Sequence, residues 1–342
     1  MTTSVLIDKV AGAPKAELHV HIEGTLEPEL IFKLAQRNGI TLPWPTVSAL
    51  REAYQFTDLQ SFLDIYYTGT RVLLTEDDFY EMTAEYVKNA VSNGIIHSEI
   101  FFDPQSHTSR GIGFEIFIPG MIRALEEAHE KGLSSQLIMC FLRHLPEEDA
   151  LKTFEISREW FERYPQWLTG VGLDSSEQGN PPEKFTTVFA LAKQAGIRRV
   201  AHAGEEGPSE YIWQALNLLG SERIDHGVRC AEDPTLLQYL KEKQIPLTVC
   251  PLSNVKLAVF RSMEDHNLRE LIKKGLNITI NSDDPSYFGG YVNDNYRDVI
   301  NALQLNEDEC YALLKNSLTS TFCDVGTKSN MMKRLDNYWA SN

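Results

Sequence analysis

The sequence has few features of secreted, membrane-spanning or nucleic-acid-binding proteins. Its 342 residues contain five cysteines, an odd number, and no C-x-x-C pair, so a disulfide framework is not expected. No run of about 18 apolar residues is present, and residues 1–14 lack a basic stretch followed by an apolar one. We therefore expect a cytoplasmic protein with reduced thiols, no leader and no membrane-spanning helix.

A surplus of positive charge is also missing. There are 32 Lys and Arg against 48 Asp and Glu, which gives a formal net charge of −16. Because nucleic acids and anionic membranes attract basic surfaces, neither is an expected partner. The hydrophobic fraction of 42% and the charged fraction of 23% are ordinary for a globular chain and exclude a disordered or fibrous one.

Short apolar or β-branched runs alternate with longer amphipathic stretches along the chain. The eight short runs are residues 16–23, 95–103, 136–144, 169–175, 199–203, 223–227, 246–251 and 277–284. The amphipathic stretches between them include residues 75–92, 114–131, 147–164, 182–195, 209–219 and 233–243. Alternating β and α units of this number favour a (β/α)8 TIM barrel of the α/β class over an open doubly wound sheet.

No linker or internal repeat divides the chain, so a single domain spanning residues 1–342 is predicted. The first connection, residues 24–93, is longer than one crossover helix requires and includes an apolar, aromatic segment, residues 56–63. Long connections after barrel strands lie on the catalytic face and often form lids, while a plain core helix is the alternative for this segment. Residues 291–342 are expected to add C-terminal helices.

Histidines and carboxylates fall at the ends of four short runs, which is the catalytic face of a barrel. The motifs are His19-Val20-His21, His202-Ala203-Gly204-Glu205, Asp225-His226-Gly227 and Ser282-Asp283-Asp284-Pro285. Taken singly, each motif also fits surface histidines, a core histidine, a helix cap or a turn. Their joint placement favours a metal centre, since two imidazoles two residues apart share one face of a strand.

Three imidazoles and one carboxylate make a zinc site with a position left for water. The expected ligands of this one Zn²⁺ ion are His19, His21, His202 and Asp283. A second ion is not expected, because residues 172–177 at the end of the fourth run offer no lysine to bridge two metals.

Hydrolysis of an aromatic amidine with loss of ammonia suits the polar groups that remain. Zinc lowers the pKa of bound water to about 7. Glu205 is then the candidate general acid towards a ring nitrogen, and His226 the candidate acceptor of the water's proton. Asp284 is expected to hold another ring nitrogen, and Asp283 to shuttle a proton as well as ligate.

These four motifs, in this order, resemble the adenosine/adenine deaminase family of zinc-dependent (β/α)8 hydrolases. The resemblance runs from about Glu17 to Asn316. It implies that His19, His21, His202 and Asp283 bind zinc, that Glu205 donates a proton to purine N1, that His226 assists the attacking water and that Asp284 contacts N7. The H-x-E and P-C-x-x-C motifs of cytidine-type deaminases are absent, so deamination of flipped-out nucleic-acid bases is not expected.

Two departures indicate the adenine deaminase branch of this family. Glu23 stands where adenosine deaminases usually have an aspartate that helps hold ribose, and residues 174–182 do not follow the usual D-L-A-G pattern. Both segments, with residues 101–105, are similar to adenine deaminases. The resemblance implies that Glu23 takes space a sugar would need, and that Ser175, Ser176 or Glu177 bonds the free N3/N9 edge, with Phe62 in the lid.

The expected reaction is therefore adenine plus water to hypoxanthine plus ammonia, a step of purine salvage with a small purine base as the partner. Deamination of adenosine or of an N6-substituted purine is the near alternative. A different mononuclear zinc hydrolase on the same barrel, such as an amidase or phosphoesterase, is the remoter one. Self-association is left open by the sequence.

Overall fold

The computed structural model describes residues 2–342. Within these residues, eight parallel strands follow one another in chain order around a nearly closed barrel. The strands are β1 (Lys15–His21), β2 (Ile95–Phe102), β3 (Ser134–Leu142), β4 (Leu168–Asp174), β5 (Arg198–Ala203), β6 (Arg223–His226), β7 (Leu247–Val249) and β8 (Ile278–Ile280). The predicted (β/α)8 barrel is confirmed, and the open sheet is excluded.

Helices connect the strands and cover the outside of the barrel. They are α1 (Thr3–Gly12), α2 (Pro28–Asn38), α3 (Val47–Glu52), α4 (Leu59–Thr70), α5 (Glu76–Ser92), α6 (Pro104–Thr108), α7 (Phe114–Glu130), α8 (Glu147–Arg163), α9 (Thr186–Gln194), α10 (Ser209–Asn217), α11 (Pro234–Lys243), α12 (Pro251–Lys256), α13 (Leu268–Lys273), α14 (Pro285–Phe288), α15 (Val292–Leu303), α16 (Glu307–Thr319) and α17 (Val325–Ser341). The long first connection holds α2 to α5, and the C-terminal tail holds α15 to α17, as predicted.

Three short helices directly after strands were not predicted. Helices α6, α12 and α14 follow β2, β7 and β8, and each begins with a proline in its first turn. Proline fits the first helical position because its ring presets φ and its missing N–H has no partner there anyway. These prolines end the apolar runs and turn the chain across the carboxyl face of the barrel.

The barrel closes between β8 and β1 through a single bridge at its carboxyl end. The Asp283 amide donates to the His19 carbonyl at 3.0 Å, and the His21 amide donates to the Asp283 carbonyl at 2.9 Å. The predicted eighth run, residues 277–284, is a strand only over Ile278–Ile280, and Asp283, beyond its end, adopts a left-handed conformation with φ of +64°. The seam of the barrel thus runs through three of the four predicted ligands.

One continuous hydrophobic cluster packs the strands against the helices, from Leu6 in α1 to Leu335 in α17. Inside the barrel, the aromatic ring of Phe101 lies 5.0 Å from the rings of both His19 and His21. The Phe101 ring therefore borders the polar site on the side that faces the barrel interior. Of the helices in residues 2–342, none is long and apolar enough to cross a membrane.

Candidate active site

The four predicted metal ligands converge at the carboxyl end of the barrel. His19 and His21 come from β1, His202 comes from β5, and Asp283 follows β8. All four side chains are buried, and one donor atom from each lies within 4.8 Å of the others. Residues far apart in the chain thus form one cluster of three imidazoles and a carboxylate.

The spacing of the donor atoms matches a tetrahedral ion. His19 Nε2 lies 3.0 Å and His21 Nε2 lies 3.4 Å from Asp283 Oδ1. His21 Nε2 is 3.2 Å from His202 Nε2. Metal–ligand bonds of about 2.0–2.1 Å in a tetrahedron place ligand atoms about 3.3 Å apart. The cluster therefore fits a metal of zinc's size.

An oxygen atom faces the Nδ1 atom of each of two ligand imidazoles, and the one that faces His19 is within hydrogen-bond distance. Thr248 Oγ1 donates to Asp225 Oδ1 at 2.8 Å, so this hydroxyl accepts from His19 Nδ1, which is 2.9 Å away. The other oxygen of Asp225 is 3.6 Å from His202 Nδ1. An acceptor at Nδ1 keeps the proton on that nitrogen and leaves the Nε2 lone pair for a metal.

The third imidazole has a carboxyl pair behind it. His21 Nδ1 lies 3.5 Å from Asp174 Oδ2 at the end of β4. Burial, with a smaller contribution from the charge of Glu23, raises the pKa of Asp174 to about 7. It also raises the pKa of the adjacent Asp103 well above the ordinary value. Neighbouring carboxyl groups that are removed from water disfavour carrying two charges.

The electrostatics of the cluster are those of a ligand set. Burial lowers the pKa of His21 to about 4 and that of His202 well below its ordinary value. Both imidazoles are therefore neutral near pH 7. Burial by itself raises the pKa of Asp283, but the facing His19 holds it below the ordinary value for aspartate. Neutral imidazoles and an ionised carboxylate are the forms that bind metals.

The three further groups predicted for the chemistry surround the same position. His226 Nε2 lies 3.6 Å from Glu205 Oε1 and 3.7 Å from Asp283 Oδ2. Burial, and after it the charge of Asp283, raises the pKa of Glu205 and of Asp284 well above their ordinary values. Both carboxyl groups line the cavity with His226.

Left-handed backbone aims several of these side chains. Ser175, His226 and Asp283 have φ of +74°, +63° and +64°, although none is glycine. Each one ends or follows a barrel strand and lines the cavity. Such conformations cost about 1–3 kcal/mol and concentrate at functional sites, where the surrounding fold holds them in place.

The predicted lid segment covers the cavity. Helix α4 begins at Leu59 with a capping box formed by Asp58 and Ser61. Leu59 and Phe62 line the cavity, and the ring of Phe62 packs 4.7 Å from that of Phe288 in α14. The aromatic segment thus packs as a core helix and also lines the cavity, so the lid and core-helix interpretations of it are compatible.

Ser175 lines the cavity, but Glu23 does not. Glu23 Oε1 accepts from His107 Nε2 at 2.8 Å and from the Asp103 amide at 3.2 Å, while Oε2 is buried without a hydrogen-bond partner in residues 2–342. Asp103, not identified from the sequence, is the carboxyl group that lines the wall at this point. Glu23 therefore contacts the cavity wall through the backbone amide of Asp103.

Ser176 and Glu177 also lie outside the cavity lining. Both oxygens of Glu177 accept backbone amides from residues 204–207, at distances of 2.7–3.1 Å. Three of these amides donate to Glu177 Oε2 and the Gly204 amide donates to Oε1. Glu177 fixes the loop that carries Glu205, so its part in the site is to support that loop.

Gly24 is required by the position of Asp284. A Cβ atom on Gly24 would lie 1.9 Å from Asp284 Oδ1 and 2.7 Å from Asp284 Cβ, so the whole side chain would have to shift. We expect Gly24→Ala to fold and bind metal but to lose about 100-fold in kcat/KM, the scale of a misplacement of about 1 Å. Steady-state kinetics beside metal analysis and thermal melting measure this.

Gly326 is the control for that substitution. It lies in α17 with an ordinary backbone, and its added Cβ would come no closer than 3.1 Å to the end of a flexible aspartate side chain. Gly326→Ala should leave kcat/KM unchanged. Equal kinetics for both alanine variants would show that the placement of Asp284 tolerates the added methyl group.

The comparisons with known proteins agree with this geometry. The sequence model of the adenosine deaminase family matches residues 14–338. Adenine deaminases of Paraburkholderia xenovorans and Paraburkholderia phytofirmans are 56% and 55% identical over 99% of this chain and 97% of theirs. The crystal structure of adenine deaminase from Arthrobacter aurescens superposes with a TM-score of 0.93 at 48% identity, covering 96% of this chain and 100% of that one.

Proposed function

Because this chain belongs to the adenosine deaminase family, we propose that it hydrolyses adenine to hypoxanthine and ammonia. By family it is a hydrolytic deaminase, and the relatives named above are adenine deaminases. The observation that carries the chemistry is the convergence of three imidazoles and one carboxylate beside Glu205, His226 and Asp284.

The metal proposed is a single zinc ion held by His19, His21, His202 and Asp283. Imidazole and carboxylate donors at tetrahedral spacing suit zinc, and a catalytic zinc site keeps a position for water. When bound, zinc lowers the pKa of such a water to about 7. Through the Thr248 hydroxyl, Asp225 keeps the His19 imidazole in the ligand form.

Glu205 is proposed as the proton donor to purine N1. Its carboxyl group is buried at the cavity wall, and Glu177 holds the loop that carries it. Protonation of N1 withdraws electrons from C6, the carbon that water attacks. A fixed acid within hydrogen-bond reach of the ring supplies the proton without solvent.

His226 and Asp284 complete the contacts proposed at the reacting end of the ring. His226 lies between Glu205 and Asp283, where it hydrogen-bonds the attacking water. Asp284 Oδ1 is buried and has no hydrogen-bond partner among residues 2–342, so it is free to contact N7. These contacts orient C6 towards the metal side of the cavity.

Ser175 and Asp103 are proposed to face the N3/N9 edge of the base. Ser175 Oγ lies 2.8 Å from His144 Nδ1 and 3.1 Å from the Tyr67 hydroxyl. Asp103 Oδ1 is buried without a hydrogen-bond partner in residues 2–342. A polar group that bonds N9–H discriminates against a base that carries a sugar at N9.

We also propose that residues 1–342 act as one domain. The continuous hydrophobic cluster and a ligand set drawn from both ends of the chain support this. The five cysteines are free thiols, four of them buried, which supports a reducing compartment such as the cytoplasm.

The test of the function is deamination of adenine and adenosine in parallel by zinc-loaded protein, followed by ammonia release and the ultraviolet spectrum. We expect kcat/KM for adenine to exceed that for adenosine by at least about 100-fold. Chelation of the metal should abolish the reaction, and zinc should restore it. A preference for adenosine would overturn the N9 argument, and no ammonia from any 6-aminopurine would overturn the function.

A further inference from the structure

A chain of three hydrogen bonds runs behind His226, away from the cavity. The Leu268 backbone N–H donates to His266 Nδ1 at 3.0 Å. His266 Nε2 lies 3.2 Å from Asn254 Oδ1, and Asn254 Nδ2 lies 3.3 Å from His226 Nδ1. The side chains of His226, Asn254 and His266 are buried, so no solvent competes for these bonds.

The backbone end of the chain fixes its direction. A backbone N–H can only donate, so His266 Nδ1 is the unprotonated nitrogen of its ring. The proton of His266 is then on Nε2, which donates to Asn254 Oδ1. The amide nitrogen of Asn254, which can only donate, is left facing His226 Nδ1.

We propose that Asn254 and His266 are positioning residues that hold neutral His226 with its proton on Nε2. Because Nδ1 of His226 accepts from Asn254, it carries no hydrogen, and the ring proton must be on the nitrogen that faces the cavity. His226 then meets the reacting position as a hydrogen-bond donor, in place of the proton acceptor expected from the sequence.

The opposite direction of these three hydrogen bonds is excluded by the Leu268 backbone N–H. If the Asn254 amide were turned over, its NH2 group would face His266 Nε2, and that nitrogen would have to lose its proton. Nδ1 of His266 would then carry the proton and meet the Leu268 N–H, donor against donor. The same conflict excludes a doubly protonated His266.

The surroundings of His226 Nε2 agree with a donor there. Its neighbours at 3.6 and 3.7 Å are oxygens of Glu205 and Asp283, and the Asp283 carboxylate can only accept a hydrogen bond. The ligand imidazole of His19 is the opposite case, since the Thr248 hydroxyl accepts from its Nδ1 atom. A protonated Nε2 cannot bind a metal, so the chain also separates His226 from the ligand set.

The two side chains behind His226 in this series of hydrogen bonds lie close together in the sequence, between β7 and α13. Asn254 lies on α12, directly after β7, and His266 precedes α13. The ring of Phe260 packs 4.3 Å from that of His266, and its amide donates to the Asn254 carbonyl. This packing holds both positioning residues without touching the cavity.

The test reads the tautomer directly, by nitrogen NMR of zinc-loaded protein labelled with ¹⁵N-histidine. His226→Asn identifies the two signals of His226. We expect a pyrrole-like, protonated Nε2 and a pyridine-like, unprotonated Nδ1. The opposite pattern in the wild-type protein overturns the inference. Because no substrate is present, this result does not depend on the proposed function, on which the catalytic part of the inference rests.

Variants of the two positioning residues connect the tautomer to turnover. Asn254→Asp presents acceptors on both sides, so His226 Nδ1 should become protonated, and kcat should fall at least about tenfold with KM for adenine little changed. His266→Leu removes the donor to Asn254 and should lower kcat similarly. His266→Gln restores an N–H donor and should recover most of kcat and the wild-type signals.

Phe260→Leu is the packing control, since it loosens His266 without removing a hydrogen bond. It should lower the melting temperature and keep the His226 signals. Unchanged His226 signals and unchanged kcat in both Asn254→Asp and His266→Leu would overturn the inference. If Asn254→Asp does not fold, the contrast between His266→Leu and His266→Gln decides it alone.

Discussion

Replacement of His202 with alanine is expected to abolish metal binding and to lower kcat/KM for adenine by about 10⁴-fold or more. His202 supplies the donor of β5, and its Nε2 lies 3.2 Å from that of His21. Without it, three donors remain, and the Asp225 oxygen behind it loses the imidazole it faces. Metal analysis should fall from about one ion per chain to a small fraction.

His129 offers the matched control. It is an exposed histidine on α7, remote from the cavity. His129→Ala should keep the metal content and the kinetics of the parent protein. Retention of metal and of turnover in His202→Ala, with an unchanged fold by circular dichroism, would remove His202 from the ligand set.

The placement of the ligand motifs could be predicted from the sequence because it depends on local periodicity and one rule of barrels. Residues His19 and His21, two apart on a strand, must share a face. Carboxyl ends of parallel strands must meet on one side of a closed barrel. The same rule predicts that His202 and Asp283 reach the site, although their positions in the sequence are 81 apart.

The groups that support the site could not be predicted in this way. Asn254 and His266 belong to no recognisable motif in the sequence. Their role depends on which donor faces which acceptor between α12 and the segment before α13. Asp225 was part of a recognised motif, but its contact with His202 follows from the strand register of β5 against β6. Periodicity alone does not give such long-range pairings.

Orientation was the other limit, and Glu23 and Glu177 show it. Both lie at strand ends beside the cavity, where a carboxylate is a reasonable substrate contact. In the fold, backbone amides of residues 204–207 take the oxygens of Glu177, and His107 takes one oxygen of Glu23. The sequence predicts that a carboxylate lies near the site, but it does not show which hydrogen-bond donors of the protein contact that carboxylate.

Replacement of Glu205 with glutamine is expected to lower kcat by about 10³-fold, to change KM for adenine little and to leave the metal in place. Glutamine keeps the shape and the hydrogen-bonding capacity of the side chain but has no acidic proton to give N1. Glu205 is not one of the four donors, so the metal content tests a separate property. Steady-state kinetics and metal analysis on the same sample measure both.

The neighbouring Glu206 separates loss of the acid from disturbance of the loop. Its carboxylate accepts the Leu59 amide at the start of α4, 3.1 Å away, and does not line the cavity. Glutamine at position 206 can still accept that amide, so Glu206→Gln should keep kcat within about threefold, since one neutral hydrogen bond contributes about 1 kcal/mol. A loss of kcat in Glu206→Gln as large as that in Glu205→Gln would assign the effect to the loop. A loss confined to Glu205→Gln would indicate that the Glu205 carboxyl group donates its proton to the ring. Both variants replace a carboxyl group of the same loop with an amide, but only that of Glu205 lines the cavity.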